Sequence, residues 1–340
     1  QEARRQRQMC IRDSIKGKQE IFETMRKGRY FKTEGEFMYH SIGYFLEGEK
    51  TSGFAAFQRL YKRYPTNYAL GLIIAYHYRR SGYLKECIDV CEKIPDEHSD
   101  LLPQITNVRH YNLAVAYYDL NRFVKADSLF GELLNLPTRK SDYYNAAIHY
   151  YKGHLADLQF NRELALSHFR EIKKEKKTKY WYWRSRMSLR YPADSLMVQY
   201  FIANNLSGAR QFSNSMQMAD HLKTAIDSGY TSPNPDFKYL VYDLIARNYF
   251  YTRRWQKAKG TFEIIAPKLG KMQDDFYRSW ARIHYGRCLR ALEEFEEAKK
   301  MFDKAGKLDD DFTKIILEVE KFINKKKTRQ SENRQKQVDK

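Results

Sequence analysis

Apolar side chains recur every three or four residues along most of this chain, a spacing that places them on one face of an α-helix. Residues 282–310 show the pattern most clearly, because two such stretches lie back to back with a short break at 292–294. The residues on the two apolar faces are Tyr285, Gly286, Leu289, Phe295, Ala298, Phe302 and Ala305. Charged residues fill most of the remaining positions, so we expect two antiparallel helices with a common core.

This helix pair recurs in altered form, with a small residue at one position of each second helix. These small residues are Gly53, Cys87, Ala126, Ala165, Ala258 and Ala298. The pattern resembles the tetratricopeptide repeat, whose period is about 34 residues. The resemblance implies about seven repeats in an all-α solenoid, a right-handed superhelix of antiparallel helix pairs. It also implies a bacterial protein whose N-terminal part is missing, because the chain starts in the middle of a repeat.

The pattern predicts five segments. Residues 1–14 resemble a translated sequencing adapter, so we expect a non-native or disordered tail. Repeats of the tetratricopeptide type are predicted for 15–178, and irregular joining helices with a degenerate repeat for 179–232. Further repeats and a capping helix, which a solenoid needs at its end, are predicted for 233–323. Residues 324–340 are polar and basic, so we expect a disordered tail.

Charge restricts the class of partner. The chain carries 61 Lys and Arg against 42 Asp and Glu, a formal net charge of +19. Such an excess favours anionic partners, including acidic proteins and nucleic acid. No apolar run reaches the roughly 18–20 residues that a membrane span requires. The compartment stays open between cytoplasm and periplasm, because the native N-terminus is expected to be missing.

Few residues form a group with catalytic or metal-binding potential. Cys87 and Cys91 lie one helical turn apart, as metal ligands or a redox pair would, but they occupy core positions of the repeat and are expected to be buried. His149, His154 and Asp157 form the closest histidine group, but His149 lies off the face of the other two, and two ligands are too few for a metal. We therefore expect no metal, no cofactor and no enzymatic activity.

The stretch 173–190 is both basic and aromatic. Its lysines and arginines are suited to phosphates, and Trp181 and Trp183 to stacking on bases. The alternative is a solvated loop followed by a helix whose aromatic residues fill the joint between two groups of repeats. The two tryptophans cannot share one helix face, which favours this alternative.

The resemblance implies that a partner lies in the concave groove formed by the first helix of each repeat. The groove positions are Tyr76, Arg79, Arg80, Tyr111, Tyr118, Tyr150, His154, Asp157, Asp243, Arg247, Phe250, Arg287 and Arg290. We interpret the chain as a protein-interaction scaffold that holds an extended or acidic segment there. A nucleic-acid-binding helical repeat and the helical regulatory part of a larger enzyme are the alternative hypotheses.

Overall fold

A computed structural model describes residues 16–45, 50–95, 103–136, 141–306 and 310–338. Within these ranges all regular structure is helical, and no strand occurs. Consecutive helices pack against each other in pairs along the chain. The predicted all-α helical-repeat fold is confirmed, whereas the handedness of the superhelix stays a prediction. The tail predicted for residues 1–14 lies outside the described residues.

The first helix, α1, covers residues 16–27. The helices that follow are α2 (Lys32–Phe45), α3 (Lys50–Arg63), α4 (Tyr68–Arg80), α5 (Leu84–Glu92), α6 (Pro103–Asp119), α7 (Phe123–Asn135), α8 (Asp142–Leu158), α9 (Arg162–Arg170), α10 (Lys179–Arg190), α11 (Ser195–Gly208), α12 (Phe212–Asp227), α13 (Phe237–Tyr251), α14 (Trp255–Ile265), α15 (Asp275–Ala291), α16 (Phe295–Ala305) and α17 (Asp311–Val338). A short 3₁₀ helix, Ala266–Lys271, follows α14.

Among the described residues, six first helices of helix pairs end in the same tight turn, and α12 ends in a similar turn at Gly229. Each of the six turns has one residue of positive φ, and the next residue donates its amide to the carbonyl five residues earlier, at 2.8 to 2.9 Å. This hydrogen bond caps the C-terminus of a helix when a residue just after the helix is in the left-handed conformation. The left-handed residues are Gly82, Asn121, Phe160, Arg210, Arg253 and Glu293. Five of the six are not glycine, so the sequence carries little sign of these turns.

In each helix pair, one core residue lies at a fixed number of sequence positions after the turn. The residue five positions after the turn is small and fully buried in all six copies: Cys87, Ala126, Ala165, Ser215, Ala258 and Ala298. Close approach explains the glycines of the preceding helix. A Cβ added at Gly286 would lie 2.5 Å from the ring of Phe302, and one added at Gly153 equally close to that of Phe169. This contact between a small residue and an aromatic ring is the packing that the predicted repeat requires.

The step between the third and fourth turns is long because α10 is inserted there, outside the helix pairs. The pair after it, α11 and α12, is regular, although its sequence predicts only a degenerate repeat. Its small residue is Ser215, a polar side chain whose hydroxyl donates to the carbonyl of Ala203 at 2.7 Å. A search for apolar periodicity misses this position, because the side chain is buried for its size and not for its hydrophobicity.

The chain forms two compact units, Gln1–His77 and Tyr78–Lys340. In the first, α2 and α3 pack closely, since a Cβ added at Gly53 would lie 2.8 Å from that of Tyr44. The ring of Phe57 stacks on His77 at 4.7 Å. The predicted limits at residues 178 and 232 lie inside the second unit and stay a prediction about groups of repeats.

The last helix is longer than expected. The sequence predicts disorder from residue 324, whereas α17 runs to Val338. Its first half is anchored, with Leu317 buried and Asn324 donating to the carbonyl of Phe295 at 3.0 Å. The following Lys, Arg, Gln and Glu residues are mostly exposed good helix formers, so an established helix continues through them. Amino-acid composition alone does not show that an established helix continues through such a segment.

Candidate functional site

Several first helices of the second unit meet on one side. Helix α10 packs on α8 and also on α15, while α11 contacts both α6 and α13, and α13 contacts α15. We call the side on which α6, α8, α10, α11, α13 and α15 meet the inner face. On α10, Trp181 contacts the ring of Tyr150 at 5.3 Å, and Tyr180 contacts Phe276 at 5.5 Å. Helix α10 thus covers the part of the inner face that lies between α8 and α15.

Most of the predicted groove residues on α6 and α8 are buried there. Tyr111, Tyr118 and Tyr150 belong to the core. The imidazole of His154 lies between the hydroxyls of Tyr118, at 3.4 Å, and Ser188, at 3.2 Å. Burial lowers the pKa of His154 to about 3, so this ring is neutral at physiological pH. These side chains contact neighbouring helices and not an open groove.

Asp157 links three helices. Its carboxylate accepts two bonds from Arg162, at 3.1 and 3.0 Å, and Arg162 also donates to the carbonyl of Leu189 on α10, at 3.1 Å. Burial raises the pKa of Asp157 to about 6, and Arg162 offsets part of that rise. The pair holds α10 against α8 and α9.

Two of the predicted groove residues on α13 bind each other. Arg247 donates to Asp243 at 2.8 Å and to the side-chain oxygen of Asn204 on α11 at 2.8 Å. His284 of α15 lies 2.9 Å from the same carboxylate. Although burial opposes it, the charges of His284 and Arg247 keep the pKa of Asp243 below its ordinary value. Phe250, the third predicted residue of α13, is half-buried.

The predicted arginines of α15 hold the last helix. The carboxylate of Glu320 in α17 accepts a hydrogen bond from the Nε of Arg287 at 2.8 Å. It also lies 2.6 Å from a guanidinium nitrogen of Arg290. Arg290 also donates to the backbone carbonyl of Glu320 at 3.1 Å. The two arginines lower the pKa of this carboxyl although its burial acts in the opposite direction. An acidic group of the chain therefore occupies the place predicted for an acidic partner.

The remaining predicted residues lie nearer the surface. Tyr76, in the first unit, is 36% exposed. Arg79 donates its Nε to the side-chain oxygen of Asn112 at 2.9 Å. Arg80 is exposed, and its guanidinium lies 5.5 Å from the centre of the ring of Phe312. Whether any residue of the predicted set binds a partner stays a prediction.

Sequence reasoning included Arg184 in the basic stretch 173–190 but not among the groove residues, although α10 carries it onto the inner face. Its guanidinium lies over the ring of Tyr150 at 4.5 Å and over that of Trp181 at 5.3 Å. Among the described residues, no carboxylate oxygen lies within 4 Å of it. Counting along the repeat could not reach this residue, because α10 lies outside the helix pairs. The spacing of Trp181, Arg184 and Ser188 along one helix face was the available signal.

Three of the arginines act electrostatically on one carboxylate, Asp119. Asp119 is close enough to Arg79, Arg184 and Arg80 for their charges to act on its pKa, but burial outweighs them and raises that pKa to about 6. We call Arg79, Arg80 and Arg184 the arginine cluster. With Asp119 ionised, the four side chains carry a net charge of +2.

The sequence group of His149, His154 and Asp157 is not brought together. His149 contacts His168 of α9 instead, with their Nδ1 atoms 3.2 Å apart. Within the described ranges, no group of three or more His, Cys, Asp and Glu side chains is placed to hold a metal. Cys87 and Cys91 are buried in the core, as predicted.

The basic aromatic stretch divides between the core and the surface. Trp181 is buried against α8, whereas Trp183 is half-buried beneath the ammonium of Lys174, at 4.7 Å. The two tryptophans therefore do not form one stacking platform. The part of the chain that the structure describes holds no helix both long and apolar enough to span a membrane.

Neither a family model nor a curated protein matches the chain. Among solved structures, a tetratricopeptide repeat protein from Parabacteroides merdae is 17% identical, with a TM-score of 0.33, over 85% of this chain and 99% of that one. The tetratricopeptide repeat domain of P58(IPK) is 11% identical, with a TM-score of 0.23, over 94% and 88%. Because these scores are low, the all-α helical-repeat fold stands on the helix pairs of the chain itself.

Proposed function

We propose that the protein is a non-enzymatic protein-interaction scaffold whose second unit binds an extended acidic segment of a partner. The observation that carries this proposal is the arginine cluster, in which the charges of three guanidinium groups act on one carboxylate, Asp119. Clustered positive charge steers acidic segments toward a surface and favours their binding.

The aromatic surroundings of the cluster support a peptide ligand. Arg79 lies over the ring of Tyr111 at 5.5 Å, and Arg184 over Tyr150 at 4.5 Å. Stacking on a ring orients a guanidinium, so that less freedom is lost when its N–H groups bind a carboxylate. Arg80, being exposed, provides the first contact for a segment that approaches from solvent.

The test is fluorescence anisotropy of a labelled Asp/Glu peptide with the full chain. We expect saturable binding that Arg80→Glu weakens by about tenfold, since one favourable charged contact is replaced by repulsion. Lys268→Glu, an equal change of charge at another exposed position, is the matched control and should leave the affinity unchanged. No binding, or equal weakening by both variants, would refute a site at the cluster.

A second candidate function is nucleic-acid binding. It is favoured by the exposed lysines that precede α10, namely Lys173, Lys174, Lys176 and Lys177. Binding through phosphates falls steeply with salt, with a slope that counts the contacts. Replacing all four lysines by Gln should flatten that slope for a random oligonucleotide. If the acidic peptide binds and the oligonucleotide does not, this second function is excluded.

A further inference from the structure

We propose that Arg184 is the residue that gives the inner face its ligand specificity, and that it binds a single carboxylate of the partner. This inference rests on the proposed function and names the ligand group. It concerns a residue that lies outside the repeat and therefore outside the groove positions implied by the fold.

Contacts on two sides of α10 fix the position of Arg184. On the α8 side, Trp181 is buried against the tyrosines, and Ser188 lies 3.2 Å from His154. On the other side, Tyr180 contacts the ring of Phe312 in α17 at 4.7 Å. A side chain on a helix held in this way presents its guanidinium in a defined place, which specific recognition requires.

The charge environment of Arg184 differs from that of Arg162, Arg247 and Arg287, whereas Arg186 of the same helix likewise has no carboxylate oxygen within 4 Å among the described residues. Arg162, Arg247 and Arg287 each lie within 3.1 Å of a carboxylate oxygen of the chain. Among the described residues, Arg184 has rings beside it and no carboxylate within 4 Å. The carboxylate on which the charge of Arg184 acts, Asp119, is shared with Arg79 and Arg80. A part-buried cation whose charge is incompletely balanced costs stability. A carboxylate supplied by a partner would remove that cost.

The geometry of the site suits a planar carboxylate. The rings of Tyr150 and Trp181 lie beside the flat guanidinium, and its N–H donors point outward in its own plane. A planar carboxylate accepts two such donors side by side.

The experiment compares Arg184→Met with Arg186→Met, its matched control. Arg186 belongs to the same helix, and its guanidinium lies over Tyr182 at 5.6 Å. Affinity for the labelled Asp/Glu peptide is measured for the full chain, with melting temperatures as the check on folding. We expect Arg184→Met to weaken binding by about tenfold or more and Arg186→Met to have no effect. Arg184→Lys keeps the charge and loses the forked geometry, so we expect an intermediate affinity.

Heteronuclear NMR of the arginine Nε–Hε groups identifies the anion. The Arg184 signal should shift saturably with acetate and less with inorganic phosphate at equal concentration. Tighter binding of phosphate would overturn the choice of a carboxylate. If the peptide binds the wild type and Arg184→Met equally, Arg184 has no such role while the proposed function stands. If it binds neither, both fall.

Discussion

The second unit holds two sets of arginines, which differ in the charges that lie beside them in the structure. Arg247, Arg287 and Arg290 occupy predicted groove positions, and each contacts a carboxylate of the chain, Asp243 or Glu320. Arg184 occupies no predicted position and lies among aromatic rings. The position of an arginine in a repeat therefore does not decide whether it is available to a ligand. Its availability depends on the charged groups that the fold places beside it.

The largest effect is expected where paired arginines lose their carboxylate. Glu320→Ala would leave Arg287 and Arg290 part-buried without their counter-ion, so we expect the free energy of unfolding to fall by about 3 to 5 kcal/mol. Urea denaturation measures it. Glu318→Ala, on the same helix and 79% exposed in its side chain, is the control and should change little. Equal losses in both variants would mean that the carboxylate does not anchor α17.

The two sets should also respond differently to loss of the arginine itself. Arg247→Met leaves the carboxylate of Asp243 with His284 alone, and we expect a loss of about 2 to 3 kcal/mol in the free energy of unfolding. Arg184→Met removes a cation that has no carboxylate partner, so we expect stability within about 1 kcal/mol of the wild type, or a gain. Urea denaturation of both variants makes the comparison. A larger loss from Arg184→Met than from Arg247→Met would contradict it.

The core was more predictable than the inner face. Ala258, Ala298 and Phe302 follow from periodicity, because a neighbouring helix buries them whatever the rest of the chain does. Ser215 was missed because a small polar residue satisfies the same close approach. The pairing of Arg287 with Glu320 joins residues 33 apart in the sequence, and only the packing of α17 on α15 creates it.

The neutral state of the buried His154 ring predicts how stability depends on pH. The folded pKa of His154 is about 3, against about 6.5 for an exposed ring, so the unfolded chain binds this proton first. The contribution of His154 to stability is full above pH 6.5 and is lost as pH falls towards 3. Between pH 7 and pH 5 we expect a loss of about 2 kcal/mol in the wild type from this residue.

His154→Gln isolates that contribution by urea denaturation at both pH values. The variant should be less stable at pH 7 and should lose less stability on acidification than the wild type. The subtraction matters, because burial raises the pKa of Asp119 and Asp157 and thereby favours folding at low pH. Parallel pH profiles for variant and wild type would show that His154 is not the responsible group.

The smallest effect concerns an arginine that belongs to neither set. Arg253 is exposed and holds the left-handed position of the turn after α13, with φ of 61°. A side chain costs roughly 1 to 2 kcal/mol in that conformation, and glycine avoids it, although glycine also gives the unfolded chain more freedom. We therefore expect Arg253→Gly to raise the free energy of unfolding by about 0.5 kcal/mol, measured by urea denaturation.

Arg210→Gly, at the equivalent turn, is the companion variant. It also removes a guanidinium that lies over Tyr83 at 4.8 Å, so its gain should be smaller. Equal gains would mean that backbone conformation alone sets the stability of these turns. A loss from Arg253→Gly would mean that this side chain, too, has a partner-independent role in the fold.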